Sequence, residues 1–425
     1  MSSGTDDSKM SRRLVAGSAT AWIVAASAGL AIHMLLWLIS EPANRFSDFY
    51  KAYYPVAESL WFEGTRDTWP LGETGAGSFV NIPVVAWLFV PLVAFGEAGA
   101  GWAFLALGVA ATAAAWWLLT RFDRSGKPAG PLLLFLFLAN GPLVNSLREG
   151  NTTHFILLLL VAALLLWRAQ KEFAVGLVLG FCAVMKLPLL LYGIYFMLRR
   201  RWRVVAGGVT MIALAGALSI AVHGLDANVG WYDDSVAPFL GGVIPAFNVQ
   251  SIDGFLMRLE TGVRDLQDWL PHTPSIVHRV VRTLIVVGLL GGAFWLMRRA
   301  SAGEPRPARR QAPGARDLLE FVLVLNLALV ISPISWSHYY LLLLLPWALY
   351  FSGTLGVPDD GISRRLIWSS IVLSALPVII LPLEPTWLGG LAARTVISVW
   401  LFGGLLTLAA LARGLWQMKR PTGAP

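Results

Sequence analysis

Charge is scarce in this chain of 425 residues: 33 Lys and Arg with 25 Asp and Glu make only 14% charged residues, against ~25% in a soluble domain. With 56% apolar residues and a mean hydropathy of +0.64, too little polar surface remains to solvate a globule of this size. Length alone would suggest about three soluble domains, but composition overrules it in favour of a polytopic membrane protein. Cysteine is scarcer still. The single Cys182, in GFCAVMK, excludes an intrachain disulfide framework and any structural zinc site that draws on two or more cysteines. Neither a Rossmann glycine fingerprint nor a P-loop occurs. The net charge of +8 could suggest nucleic acid as a partner. The basic residues, however, lie in short runs beside apolar segments, as topology signals do, and nucleic acid is set aside.

A bilayer core requires ~20 apolar residues per helix. Apolar runs at 14–39, 79–96, 101–120, 131–146, 154–167, 173–198, 204–223, 280–297, 318–331, 339–355, 366–383 and 391–412 predict an all-α membrane protein of about twelve transmembrane helices. The chain then divides into a tail 1–13, a transmembrane module 14–223 containing an outer loop 40–78, a second outer loop 224–279, C-terminal helices 280–412 with a linker 298–317, and a tail 413–425. The first apolar run is too long for a cleaved signal peptide, and no clear cleavage site ends it. Alternating spans gather Lys9, Arg12 and Arg13, the run Arg199, Arg200, Arg201 and Arg203, the linker, Arg364 and Arg365, and Arg413, Lys419 and Arg420 on one side. That side is predicted to be cytoplasmic, with the two long loops outside. RFDRSGK, 121–127, resists the scheme, and its short neighbours 131–146 and 154–167 fit a partly inserted hairpin shielded by protein.

Five polar elements could carry chemistry. In SEPANRFSDFYKAYYPVAESLWFEGTRDTW, 40–69, Asp48 stands among aromatics, and Phe49–Leu60 fits an amphipathic helix lying at the membrane surface. A carboxylate partly desolvated there gains basicity and suits proton abstraction. The plain alternative is that Asp48 caps this helix. NSLREGNTTH, 145–154, concentrates Arg148, Glu149, Asn151 and His154, and reads in the first place as an ordinary polar turn between spans. Lys186, in VMKLPLL, is an intramembrane charge too far from its basic end to snorkel, which marks function by default. FNVQSIDGFLMRL, 247–259, offers Asn248, Gln250, Ser251 and Asp253, a set able to hold sugar hydroxyls or a phosphate. SWSHYYLLLLLPW, 335–347, offers Trp336, His338, Tyr339 and Tyr340. An aromatic belt explains the Trp and Tyr but not His338.

Together these segments resemble glycosyltransferase family 87, bacterial enzymes of the GT-C superfamily that use a polyprenyl-phosphate sugar as donor. An acidic residue and aromatic after the first span are matched by SDFYKAYYPVAESLWFEG. VNIPVVAWLFVPL loosely matches a tyrosine- and proline-rich stretch, with Ile82 where a tyrosine is usual. EGNTTHFILLLLVAALLLW matches a glycine-asparagine element, and VGLVLGFCAVMKLPLLL followed by RRRWR matches a small-residue helix ending in lysine and proline. The Asn-x-Gln-Ser and Trp-Ser-His-Tyr elements complete six matches in order, over most of residues 14–350. The resemblance implies a GT-C fold with short helices in the first outer loop covering the site, a location in the bacterial cytoplasmic membrane, and an active site facing outward. It implies mannose first and arabinofuranose second as the transferred sugar, with a glycolipid or polysaccharide acceptor and membrane lipids as partners.

Transfer from a lipid phosphate requires one general base to take the acceptor proton. Asp48 is assigned that role, with His338 close to the phosphate or assisting the acceptor. Lys186 and Arg148 are candidates for neutralising the phosphate, although simple topology puts Arg148 at the opposite face. Asn151, Trp336, Tyr339 and Ser251 are further candidates for donor contacts, and Asn248 and Gln250 for hydroxyls. The paired acidic residues of the wider superfamily reduce here to Asp48, so no metal or other cofactor is expected, and a single base favours inversion. The alternatives are a lipid or sugar transporter without chemistry, although no repeat is visible, and another lipid-linked enzyme such as an oligosaccharide ligase or acyltransferase.

Overall fold

A computed structural model describes residues 19–36, 45–62, 64, 79–123, 129–301, 312–375 and 387–418. The first outer loop from 65 to 78, the linker residues 302–311, the N-terminal tail and residues 419–425 of the C-terminal tail lie outside the described residues. Among the described residues the structure is helical throughout. Extended pairing is limited to isolated bridges between Val243 and His272 and between Val249 and Trp336.

Among the described residues five helices are long and apolar enough to cross a bilayer: Ala19–Leu36, Gly96–Thr120, Trp202–Gly241, Ile276–Ala300 and Val399–Gln417. A sixth candidate is the pair Ala129–Leu138 and Gly141–Glu149, bent by 56° at a short break. Several runs that hydropathy marks as spans are instead short or interrupted. Pro83–Leu88 is a 3₁₀ turn followed by the single helical turn Val90–Val93. Thr153–Arg168 has 16 residues, a rise of about 24 Å, less than the ~30 Å hydrocarbon thickness. The run at 339–355 begins with the 3₁₀ segment Ser337–Leu343 before the helix Leu344–Phe351. Irregular backbone of this kind is tolerated at membrane depth only where protein shields it.

Two features organise the packing. Leu318–Val330 of the Ala315–Ile331 helix is buried on every side, as is Leu341–Leu349, so these segments form the centre of the molecule rather than its lipid face. Ile276–Ala300 is the converse, with Ile276, Val277, Leu284 and Val287 exposed, an outward apolar surface suited to lipid. The helices Glu172–Met185 and Trp202–Ser235 meet through glycines. A side chain at Gly176 would fall 2.0 Å from the Val204 carbonyl, and one at Gly207 would fall 2.2 Å from that of Phe173, so only glycine permits this approach. The Trp202–Ser235 helix breaks at Gly224, whose φ of 80° and ψ of 168° are not helical. At the end opposite this break, buried Glu320 receives Arg199 at 3.0 Å and the Tyr195 hydroxyl at 3.0 Å, which joins the basic RRRWR turn to the central helix.

Candidate active site

Aromatic packing sets the position of Asp48. The π-helical turn Phe49–Tyr53 and the α-helix Tyr54–Phe62 that continues it bury Phe49, Tyr53, Tyr54, Val56, Ala57 and Leu60. Phe49 stacks on Phe104 with ring centroids 4.9 Å apart, and Tyr53 on Phe89 at 4.6 Å. The segment thus rests on the protein, and residues flanking the carboxylate are held by rings on two other elements. Asp48 has helical backbone angles and makes no capping hydrogen bond through its side chain. The capping alternative is thereby corrected: the carboxylate bonds elsewhere.

Its partner comes from the turn that alternating spans place at the opposite face. Asn140 caps the Gly141–Glu149 helix by accepting from the Leu143 amide at 2.8 Å. Gly150 ends that helix at φ +70°, a left-handed conformation natural to glycine. A side chain there would fall 2.7 Å from Phe49 Cβ, and the Phe46 amide donates to the Arg148 carbonyl at 2.7 Å. The bent helix pair therefore returns the polar turn to the first loop, and the assignment of Arg148 to the opposite face does not hold. The Arg148 guanidinium lies near enough to act on the charge of Glu149.

Asn151 is the hub. Its Oδ1 accepts from the Thr153 amide at 3.1 Å, the Thr153 hydroxyl at 2.8 Å and Lys186 Nζ at 3.3 Å. These three donors fix the amide orientation, so Nδ2 faces Asp48 and donates to Oδ2 at 2.8 Å. Lys186 follows the last turn of the Glu172–Met185 helix with extended angles, ahead of the Pro188 that prevents a regular continuation. Its Nζ lies 4.7 Å from the centre of the Tyr339 ring. Burial raises the Asp48 carboxyl above its ordinary range, and the Asn151 bond, Lys186 and Lys51 pull it back only in part.

The Ser337–Leu343 segment supplies the remaining wall. His338 is buried, with Nδ1 3.6 Å from Glu149 Oε2, and its Nε2 has no hydrogen-bond partner among the described residues. Asn145 donates to the Ser337 hydroxyl at 3.2 Å, which sets the register between the two segments. Asp48, Glu149 and His338 each offer an atom within 4.8 Å of the others. Two carboxylates and an imidazole at this spacing could hold a divalent cation, so the premise that Asp48 stands alone is corrected: Glu149 is its companion. Sequence reasoning noted Glu149 only as part of a polar turn. Its pairing arises from the 56° bend, which no local pattern announces. Beside this polar centre lies an apolar cleft of about 290 Å³, lined by Phe89, Leu92, Phe104, Phe155 and Phe181 among others. Thr152 and Met185 also line it, next in sequence to Asn151 and Lys186.

Other candidates serve the frame. Gln250 Nε2 donates to the carbonyls of Phe247 and Ile397, and its Oε1 accepts from the Leu401 amide. Ser251 caps the Ile252–Glu260 helix and donates to the Pro333 carbonyl. Both side chains are fully buried and engaged, so neither is available to a sugar in this arrangement. Asn248 accepts from Trp269 Nε1 at 3.0 Å, and its carbonyl accepts from the Ser337 amide at 2.7 Å. Trp336 starts the histidine segment and packs with Val249. This second loop therefore holds the His338 segment in place from behind.

Residues 79–333, more than half of the chain, match the family model of glycosyltransferase family 87. The chain belongs to glycosyltransferase family 87. Two curated relatives from Mycolicibacterium smegmatis are similar at low identity. One is a polyprenol-phosphate-mannose-dependent alpha-(1-2)-phosphatidylinositol mannoside mannosyltransferase, 27% identical over 169 residues, 40% of this chain and 35% of the relative. The other is the corresponding pentamannoside mannosyltransferase, 26% identical over 250 residues, 58% of this chain and 53% of the relative. The family 87 chain thus spans about half of these relatives or less. No solved structure matches it significantly.

Proposed function

We propose that this family 87 protein transfers a sugar, mannose in the first place, from a polyprenyl-phosphate donor to a hydroxyl of a lipid or glycan acceptor at the outer face of the bacterial cytoplasmic membrane. The observation that carries the reading is the linked constellation of Asp48, Asn151 and Lys186 facing His338. It joins one basic carboxylate to cationic and neutral donors in a buried pocket that adjoins an apolar cleft.

Each role follows from that geometry. The isoprenoid chain occupies the apolar cleft, which leaves the phosphate beside Lys186. Asp48 accepts the acceptor hydroxyl proton as oxygen attacks the anomeric carbon. The bond to the lipid phosphate breaks on the opposite side, and its new charge is met by Lys186, while His338 contacts the substrate through Nε2. A phosphate leaves without needing an acid, so one carboxylate suffices and configuration inverts. Retention would require a carboxylate free to attack the sugar carbon, whereas Glu149 is the neighbour of His338 Nδ1. The relatives' printed names supply mannose and phosphatidylinositol mannosides. For this chain the donor lipid and mannose are proposed, and the acceptor is left as a hydroxyl-bearing lipid or glycan.

The test is turnover by purified protein in lipid nanodiscs, with radiolabelled polyprenyl-phosphate mannose and the arabinofuranose analogue offered side by side with extracted envelope glycolipids. Sugar should appear on the acceptor from the mannose donor, in inverted configuration. Movement of intact donor across a bilayer without cleavage would replace the reading with transport.

A further inference from the structure

We propose that Glu149 is a positioning residue for the transfer reaction, acting through His338. The inference rests on the reading of His338 as a contact to the substrate in the proposed transfer. Its basis is the pairing of a carboxylate with one ring nitrogen while the other is left bare. Glu149 Oε2 lies 3.6 Å from His338 Nδ1, within ion-pair reach and just beyond hydrogen-bond length, a gap that catalytic contacts commonly close once substrate is bound. Nε2 is buried and has no partner among the described residues. A buried ring nitrogen without a partner is costly, and a pocket that keeps one presents it to a ligand.

Glu149 is itself held in place. Asn145, one helical turn earlier, hydrogen-bonds the Glu149 side chain and donates to Ser337 beside the histidine. Gly150 fixes the backbone where the carboxylate leaves the helix. The groups around the ring are Asp48 from the first loop, Glu149, Lys186, and His154 from the following helix. Of these, Glu149 is the one in ion-pair contact with Nδ1.

The consequence is a choice of tautomer. A carboxylate at Nδ1 keeps the proton on that nitrogen. Nε2 is then a bare acceptor, and it meets a hydroxyl of the bound sugar. The arrangement has the logic of the carboxylate that orients the histidine of a hydrolase triad without taking a proton itself.

The experiment is a double-mutant cycle on the full-length protein in nanodiscs, with polyprenyl-phosphate mannose as donor. Glu149→Gln keeps size and hydrogen-bonding capacity but loses the charge. Its kcat should fall by about 10- to 100-fold, with donor KM changing less than about threefold and the thermal midpoint unchanged. The decisive reading is non-additivity: Glu149→Gln combined with His338→Ala should be no slower than His338→Ala alone. A merely structural glutamate would lower the thermal midpoint and add its loss to that of His338. Full additivity, or wild-type kcat in Glu149→Gln while His338→Ala is impaired, overturns this inference and leaves the glycosyltransfer reading standing. Wild-type turnover by His338→Ala removes the substrate contact on which this inference rests and likewise leaves the glycosyltransfer reading standing. Should Glu149→Gln not fold, Glu149→Asp runs through the same cycle, since it keeps the charge but withdraws it from Nδ1, and the same non-additive loss is expected.

Discussion

Replacement of Asp48 by asparagine is the most informative single change. In the resting protein Asp48 Oδ2 accepts from Asn151 Nδ2 at 2.8 Å, and Asn151 is locked by Thr153 and Lys186. An amide at position 48 can present its own oxygen to Asn151, so one charge-assisted bond becomes a neutral one, at a cost of about 1 kcal/mol. For a chain this long that corresponds to a thermal midpoint shift of about 2 °C or less. The chemical cost is larger. An amide cannot take the acceptor proton, and loss of a general base slows transfer by ~10²–10⁴-fold, or about 2.7–5.4 kcal/mol of barrier. The two effects separate cleanly in one preparation, by thermal unfolding in nanodiscs and by single-turnover transfer of labelled sugar. The pH profile adds a second handle. Burial raises the Asp48 carboxyl, and only its ionised form can act as base. Wild-type kcat/KM should therefore fall as pH drops through that raised value, and Asp48→Asn should lack this limb. A variant that turns over within threefold of wild type, or keeps the acid limb, would refute Asp48 as the base.

Gly150→Ala should cost about 1–3 kcal/mol through its left-handed backbone and crowd Phe49, whose Cβ would be 2.7 Å away. Expected are a lower thermal midpoint and at least tenfold slower transfer, and wild-type behaviour in both would contradict the close packing of this turn on the first loop. Transfer should persist in EDTA, because Lys186 beside Asn151 supplies positive charge at the phosphate. Abolition by chelator with recovery on adding Mn or Mg would show instead that Asp48, Glu149 and His338 hold a cation. For topology, Leu270→Cys should react with an impermeant maleimide on intact cells and Arg203→Cys should not. Both positions are exposed, and native Cys182 is buried. The reverse pattern would invert the proposed sidedness.

What could be read from the sequence was local chemistry out of place. Asp48, Lys186 and His338 are polar groups in apolar or aromatic surroundings, and the structure brings all three to one pocket. Glu149 was noted but given no role, because a carboxylate in an Arg-Glu-Gly-Asn turn looks like ordinary solvent-facing polarity. Only the break between Leu138 and Gly141 turns it inward. Gln250 and Ser251 misled for the opposite reason. Their polar atoms satisfy the carbonyls of Ile397 and Pro333, far along the chain, and such partners leave no trace in nearby sequence. Hydropathy marked about twelve spans because it scores apolarity without regard to continuity. The interruptions at Pro83 and at Lys186 through Pro188, where a regular helix ends or tightens, became visible only in three dimensions.

The apolar cleft beside Asn151 has a consequence for how the protein meets its substrate. On the proposed reading the donor's lipid tail lies between Phe89, Phe104 and Phe155, so the donor would arrive by diffusing in the plane of the bilayer and the relevant concentration would be two-dimensional. Saturation should then follow the mole fraction of donor among the lipids and not its amount per litre. Adding inert phospholipid at constant total donor should slow the reaction, and adding buffer at constant composition should leave the rate per protein unchanged.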